Sequence, residues 1–507
     1  MTTADRGRPA PVAVPAAVAS ALGLWGIDRR DSMWRDESVT YQVAHRSVGE
    51  LWDLLGHIDA VHGLYYLLMH AVFALWDGGL VALRLPSVLA TALAAAGVGA
   101  IGARLYGRLA GTLAGLVFAV LPVTQHYAQE GRSYALVTAA VTWATYVLLR
   151  GAATHRARAW PAYALLLALA CRLHEFAALA AVAHSLTLWR LGVPRRVWLY
   201  WSAAVTAVAS SLLPLAVTSA GQAERQLGWL GRPGLSTWLQ FLAVAAAGLL
   251  LGRFLAHRPG GAAVAAVSLP LLVAPAGLLM TVSLVEPWYV ERYVLYGVTG
   301  LALLAGAALS EAVRRRHRLA PVARALTACG AVALSVAVLL PWSLLVRSPE
   351  SRKDDVIAIA AAVERSAHPG DGVLFMPARR REWLLSSPSV LDRLDDLALA
   401  ESPSASHTLQ GTESSAEDIR RRVLAADRVI ALADPPGQPL DSTPQEEAKR
   451  SALNAHFELS ERIGVHGAQV LVYTRTGRRA VTCERARMSL YPVIRNRNPP
   501  GVKGGVV

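Results

Sequence analysis

The chain has 507 residues, 54% hydrophobic and only 17% charged, with a mean hydropathy of +0.36. Soluble globular chains carry about 25% charged residues, and here the apolar excess is gathered in long runs before residue 347, which excludes a soluble enzyme, a disordered chain and a disulfide scaffold. The net charge of +14 sits as short arginine clusters between apolar runs, the pattern of cytoplasmic loops and not of a nucleic-acid-binding face.

A hydrocarbon core about 30 Å thick needs roughly 20 apolar residues per helix. The N-terminus has the polarity of a signal peptide but no A-x-A cleavage site, so 10–27 reads as an uncleaved first span. Further spans are expected at 85–104, 108–125, 134–150, 159–173, 175–190, 198–217, 237–256, 261–284, 292–312 and 323–346. The apolar segment 62–76 is short for a span, and the arginines decide its placement. If it does not cross, Arg104/Arg108, Arg150/Arg156/Arg158, Arg190/Arg195/Arg196, Arg253/Arg258 and Arg314/Arg315/Arg316/Arg318 all face one side. The opposite loops then hold mostly single arginines (Arg132, Arg172, Arg225, Arg232, Arg292), as the positive-inside rule requires. Residues 62–76 are therefore expected to lie on or dip into the outer face.

This reading gives a mainly α, polytopic membrane protein of about 11 transmembrane helices, with the N-terminus cytoplasmic. Residues 1–346 form the membrane domain, with 28–83 as an outer loop carrying juxtamembrane helices. Residues 347–477 alternate charged helical stretches with short β-rich runs and read as a small extracytoplasmic α/β domain. The Pro/Gly-rich tail 478–507 reads as disordered. Cys171, Cys329 and Cys483 form neither a metal spacing nor a disulfide framework.

Polar residues gather at the outer ends of spans: Trp34-Arg35-Asp36-Glu37; His57, Asp59 and His62; Gln125 to Tyr134; and Glu286 to Tyr293, with Arg172, His174 and Glu175 as a weaker group. Ionisable residues beside a bilayer are costly and suggest function. Charged ends also snorkel, and Trp and Tyr form interface belts. Anchoring is favoured for Arg172 and Glu175, and the two readings stand level for His174. For the adjacent carboxylates Asp36 and Glu37 function is favoured, because they repel each other and bind no anionic lipid. Composition alone does not separate phosphate binding from anchoring at Arg132 and Arg292.

An acidic pair Asp36-Glu37 after the first span, the outer segment HIDAVHGLYYLLMHAVFAL leading to LRLPS at 83–87, YAQEGRSYAL at 127–136, and Val290-Glu291-Arg292-Tyr293 before the final domain together resemble the GT-C superfamily of polytopic glycosyltransferases. The bacterial members akin to protein O-mannosyltransferases and aminoarabinose transferases are the nearest in pattern. The YAQE-x-RSYAL stretch is the most specific part. Where such proteins commonly carry Pro-Pro before the aromatic helix, His62-Gly63 stands here.

The resemblance implies transfer of a sugar, mannose by analogy, from a polyprenyl-phosphate donor to an extracytoplasmic glycan, lipid or protein acceptor at the plasma membrane, with inversion of the anomeric centre. An acceptor hydroxyl needs a positioned base, and the pattern assigns this to Asp36, with Glu37 orienting the acceptor, binding a cation or raising its neighbour's pKa. Arg132, Arg292 and Tyr293 would hold the donor phosphate and lipid, since paired guanidinium donors stabilise a departing phosphate. Trp34, Asp59, His62, Tyr127, Gln129, Glu130 and His174 are the remaining expected substrate contacts. No cofactor is implied, and a divalent cation stays open. The competing readings are a polyprenyl-lipid or solute transporter, which predicts mid-span charges and repeated halves, and a non-catalytic cell-envelope scaffold.

Overall fold

The computed structural model describes residues 10–228, 230–316 and 320–476. The tail 478–507 with Cys483, and Arg318 of the last arginine cluster, lie outside these residues.

The chain begins with α1 (Ala10–Leu24) and the short helices α2 (Arg35–Ala44), α3 (Val48–His57) and α4 (Gly63–Leu75). The long α5 (Gly79–Tyr106) is followed by α6 (Arg108–Val120) and α7 (Pro122–Ala128). The last two are bent by 65°, because Pro122 pushes Leu121 out of the helical region, to ψ 132°. Then come α8 (Tyr134–Thr154), α9 (Trp160–Leu173), α10 (Leu179–Arg190) and α11 (Arg195–Leu227). The helical part ends with α12 (Leu235–Ala256), α13 (Gly261–Val282), α14 (Val298–Arg316) and α15 (Pro321–Val346).

Among the described residues seven helices are long and apolar enough to cross a membrane, or eight if the bent pair α6–α7 is one span. The other three of the eleven expected spans are α1, α9 and α10, with 15, 14 and 12 residues, short of the roughly 20 a straight crossing needs. The chain between α9 and α10 breaks at His174 and continues as a 3-10 turn, Glu175–Ala178. A second 3-10 segment, Glu291–Gly297, precedes α14. The segment 62–76 is largely the single helix α4, whose Tyr66 packs with Val39 and Val43 of α2 and Leu51 and Leu54 of α3.

α1, α5 and α6 pack at backbone distance. A Cβ on Gly99 would lie 1.8 Å from the Pro11 carbonyl oxygen, and one on Gly111 2.3 Å from that of Gly99. Small residues allow this approach, which supplies dispersion contacts where lipid removes the hydrophobic driving force between helices.

After α15 the architecture changes to α/β. α16 (Val356–Ser366), β1 (Gly372–Met376), α17 (Pro388–Leu391), β2 (Asp395–Asp396), β3 (Leu399–Glu401), β4 (Thr412–Glu413) and α18 (Ala416–Ala425) lead to β5 (Arg428–Ala433). α19 (Pro444–His456), β6 (Phe457–Val465) and β7 (Ala468–Arg475) complete it. The main sheet runs β2-β1-β5-β7-β6, with β1 parallel to β2 and β5, and β7 antiparallel to β5 and β6. Successive side chains alternate between its faces, as strand geometry dictates. Val373, Phe375, Ile430, Leu432, Val470 and Val472 share a core with α16 and the membrane helices, whereas Leu374, Val429, Ala431 and Leu471 pack with Ile419 of α18 and Leu453 of α19.

The two parts meet at α2. The Val356 amide donates to the Met33 carbonyl at 2.7 Å, the Arg35 amide to Asp354 Oδ1 at 2.9 Å, and Ser38 Oγ to the Glu382 carbonyl at 2.9 Å. Gln42 Nε2 donates to the Leu409 carbonyl at 3.2 Å.

Candidate active site

The first turn of α2 carries Asp36 and Glu37, where carboxylates face the positive end of the helix dipole. Their fates differ. Glu37 is fully buried: Arg29 donates to both its oxygens at 3.1 and 3.3 Å, Arg84 Nε and NH2 donate at 2.7 Å each, and the Gly131 amide at 3.0 Å. Burial alone would raise its pKa, but the charges of Arg29 and Arg84 outweigh it and hold the carboxyl below its ordinary range. Arg29 begins a run of three residues with φ of 50–56°, Arg29, Arg30 and Asp31, a conformation that costs an L-residue roughly 1–2 kcal/mol. The turn is held where Arg29 meets Glu37. With every oxygen engaged and no place in the cavity wall, Glu37 is not available as a second catalytic carboxylate; its position is that of an anchor for α2.

Asp36 instead faces a cavity of about 220 Å³ between the membrane helices and the α/β part. Arg292 NH2 lies 3.7 Å from Asp36 Oδ2. Arg292 Nε donates to the Tyr134 hydroxyl at 3.0 Å, and its guanidinium lies over the rings of Tyr134 and Tyr293, at 5.7 and 5.6 Å. Arg132 shares the wall, and its NH2 donates to His62 Nε2 at 2.8 Å. An arginine only donates, so the His62 ring accepts at Nε2. His62 Nδ1, His174 Nδ1 and Arg132 Nε are buried without a protein partner among the described residues.

The aromatic side of the cavity comes from the two helix breaks. Tyr293 lies 4.4 Å from the His174 ring centroid and 5.5 Å from that of Phe176, stacked on the latter. Asp59, at φ 63°, also lines the cavity and accepts from the Tyr66 hydroxyl at 2.5 Å. Burial pushes its carboxyl above the usual range against the pull of Arg132. Glu175, expected to be an interface anchor, lines the cavity while accepting from Ser219 Oγ at 2.7 Å.

Of the sequence-predicted residues, Asp36, Asp59, His62, Arg132, His174, Arg292 and Tyr293 therefore converge on one cavity. Trp34, Tyr127, Gln129 and Glu130 do not line it. Gln129 is buried and donates to the carbonyls of Gly23 and Trp25 at 3.0 and 2.7 Å. Glu130 is buried near Arg352, at 3.8 Å, and burial raises its pKa. Tyr127 donates to Glu291 Oε1 at 3.4 Å, and Trp34 is buried at the start of α2. Sequence reasoning missed Arg29 and Arg84 as partners of Glu37; the LRLPS motif that contains Arg84 was the available signal. It also missed Phe176, Glu382 and Leu409 in the cavity wall. Among the described residues no group of three or more His, Cys, Asp or Glu side chains is placed to hold a metal ion.

A helical part with apolar helices of membrane-spanning length meets a small α/β domain at a cavity that holds the Asp36–Arg292 pair, and the comparisons give this fold a precedent. The chain has the fold of the GT-C superfamily of membrane glycosyltransferases. It resembles the crystal structure of ArnT from Cupriavidus metallidurans bound to undecaprenyl phosphate, with a TM-score of 0.58 and 14% identity over 91% of this chain and 97% of that one. ArnT in the apo state aligns with a TM-score of 0.57 at the same identity and coverage. The archaeal oligosaccharyltransferase AglB from Archaeoglobus fulgidus, in complex with an inhibitory peptide and a dolichol-phosphate, aligns at a TM-score of 0.46 and 10% identity over 82% of this chain and 69% of that one. The family model described as dolichyl-phosphate-mannose-protein mannosyltransferase matches residues 64–219. No curated protein matches the sequence.

Proposed function

We propose that this chain transfers a sugar from a polyprenyl-phosphate donor to an acceptor on the outer side of the plasma membrane, with inversion of the anomeric carbon. The observation that carries the reading is the juxtaposition of Asp36 with Arg292 in one cavity, 3.7 Å apart, beside Arg132 and an aromatic wall. Arg132 and Arg292 hold the donor phosphate, and Tyr293 and His174 form the wall beside the sugar. A bound phosphate competes with Asp36 for Arg292, which frees the carboxylate to act. Asp36 then takes the proton of the acceptor hydroxyl, whose oxygen attacks the anomeric carbon as its bond to the phosphate oxygen breaks. The phosphate leaves with added negative charge, stabilised by donors already in place before the step. Glu37 positions α2 and takes no proton. ArnT was crystallised with undecaprenyl phosphate, which supports a lipid-phosphate carrier here; mannose is the first sugar to try, on the strength of the family match.

The same reading puts the N-terminus in the cytoplasm and residues 28–83 and 347–477 outside. The test is incubation of purified protein with a panel of radiolabelled polyprenyl-phosphate sugars and a membrane extract, followed by identification of the labelled product. Label moving from one of these donors into an extract component is the expected result. Donor that stays intact across the panel, with the protein folded, overturns the reading.

A further inference from the structure

Glu382 lies in the 3-10 turn Ala378–Trp383 of the α/β domain, far from Asp36 in sequence, yet both line the same cavity. Its main chain is fixed: the Glu382 carbonyl accepts from Ser38 Oγ of α2 at 2.9 Å, and the neighbouring Trp383 is fully buried with Nε1 donating to Asp354 Oδ2 at 3.2 Å. Its side chain is not. Among the described residues no hydrogen bond or ion pair reaches the Glu382 carboxyl, although every other acidic group in that wall has a basic or hydroxyl partner: Asp36 has Arg292, Asp59 has Tyr66 and Glu175 has Ser219. A carboxyl held on a rigid turn, aimed into a cavity and lacking a partner is placed to meet a ligand.

We infer that Glu382 is an acceptor-binding residue, through which the α/β domain hydrogen-bonds a polar oxygen of the acceptor beside Asp36. The inference rests on the glycosyltransferase reading above. Arg132 and Arg292 come from the helical part and are the groups suited to the donor phosphate. Glu382, together with Leu409, comes instead from the α/β domain, the part of the cavity left for the acceptor.

The charge state fits a donor. Burial raises the Glu382 carboxyl to about 8; the charges of Asp36 and Asp354 push the same way, and Arg35 and Arg380 oppose them. These four come from α2, from the segment before α16 and from its own turn, and the same cavity wall also carries Asp59, His62, Arg132, His174, Glu175 and Arg292. At neutral pH the group is therefore protonated and can donate to an acceptor oxygen, a capacity lost as pH rises through about 8.

The experiment compares Glu382→Gln and Glu382→Leu with the wild type, using radiolabelled polyprenyl-phosphate mannose as donor and serial dilutions of one membrane extract as acceptor source, from pH 6 to 10. Undecaprenyl phosphate binding is measured on the same samples. Wild-type transfer should fall above pH about 8. Glutamine keeps a donor that does not ionise, so its alkaline fall should vanish. Leucine should raise the extract concentration needed for half-maximal rate roughly 10-fold, the effect of losing one buried hydrogen bond, with lipid binding within twofold of wild type. An alkaline limb unchanged in Glu382→Gln, or a Glu382→Leu loss that appears equally in lipid binding, overturns the assignment of Glu382 alone. Absence of transfer by the wild type at every pH, from mannose and from every other donor of the panel above, overturns the glycosyltransferase reading on which it rests.

Discussion

Two neighbouring carboxylates on one helical turn have been given opposite environments. Glu37 sits among two guanidiniums and two backbone amides in the protein interior, whereas Asp36 keeps a single 3.7 Å contact and about a quarter of its side-chain surface open. Breaking a buried pair by removing one partner leaves charge without compensation, which costs about 3–5 kcal/mol. Glu37→Gln should therefore lower the thermal unfolding midpoint of the purified protein substantially, while Asp36→Asn leaves it near wild type. Equal midpoints for the two variants would contradict the anchor role. The acidic pair was legible in the sequence, but this division was not, because Arg29 and Arg84 lie 8 and 47 positions from Glu37 and only the fold brings them together.

At the scale of elements, the cavity is made by interruptions. Straight continuation of α9 into α10, or of α14 toward its N-terminus, would bury His174 and Arg292 along helix walls. Instead a break at His174 and the 3-10 segment Glu291–Gly297 turn His174, Phe176, Arg292 and Tyr293 into one space, braced by the Tyr296 hydroxyl donating to the Phe176 carbonyl at 3.0 Å. The break at His174 was legible, since the apolar runs 159–173 and 175–190 part there around Arg172, His174 and Glu175, whereas the expected span 292–312 gave no sign of the 3-10 segment, because Val294, Leu295 and Val298 stay apolar through it. The opposite wall depends on α2, whose start is tied to the α/β domain by Asp354. That carboxylate accepts from the Arg35 amide at 2.9 Å and Trp383 Nε1 at 3.2 Å. Asp354→Ala leaves both donors without their partner, at about 1–3 kcal/mol each if they stay buried. The expected outcome is faster hydrogen exchange over 33–38 and slower transfer, with Asp354→Asn intermediate because it keeps one acceptor. Unchanged exchange in Asp354→Ala would separate α2 from the domain behind it.

For the whole molecule, apolar patterning located every segment that became a membrane helix, and the switch to alternating short strands and amphipathic helices after residue 347 anticipated the α/β part. The motifs DE, RSY and ERY carried Asp36, Arg132 and Arg292 into the cavity. Glu382 and Leu409 had no such signal: isolated residues of an unremarkable loop and turn acquire their place only when α2 docks on the second domain. Sidedness is testable directly. In a background with Cys171, Cys329 and Cys483 replaced by serine, Asp77→Cys should react with an impermeant thiol reagent in intact cells, and Ala153→Cys and His257→Cys only after lysis. Labelling of the latter two in intact cells would reverse the threading.

The central claim is that Asp36 removes the acceptor proton while the arginines hold the donor. Its most direct test is the single-turnover rate of Asp36→Asn in nanodiscs preloaded with radiolabelled polyprenyl-phosphate sugar, beside its affinity for undecaprenyl phosphate. Loss of a general base typically costs 10²–10⁴-fold in rate. The account predicts a fall of that size with lipid affinity close to wild type. A variant that binds the lipid and transfers sugar at the wild-type rate would contradict it.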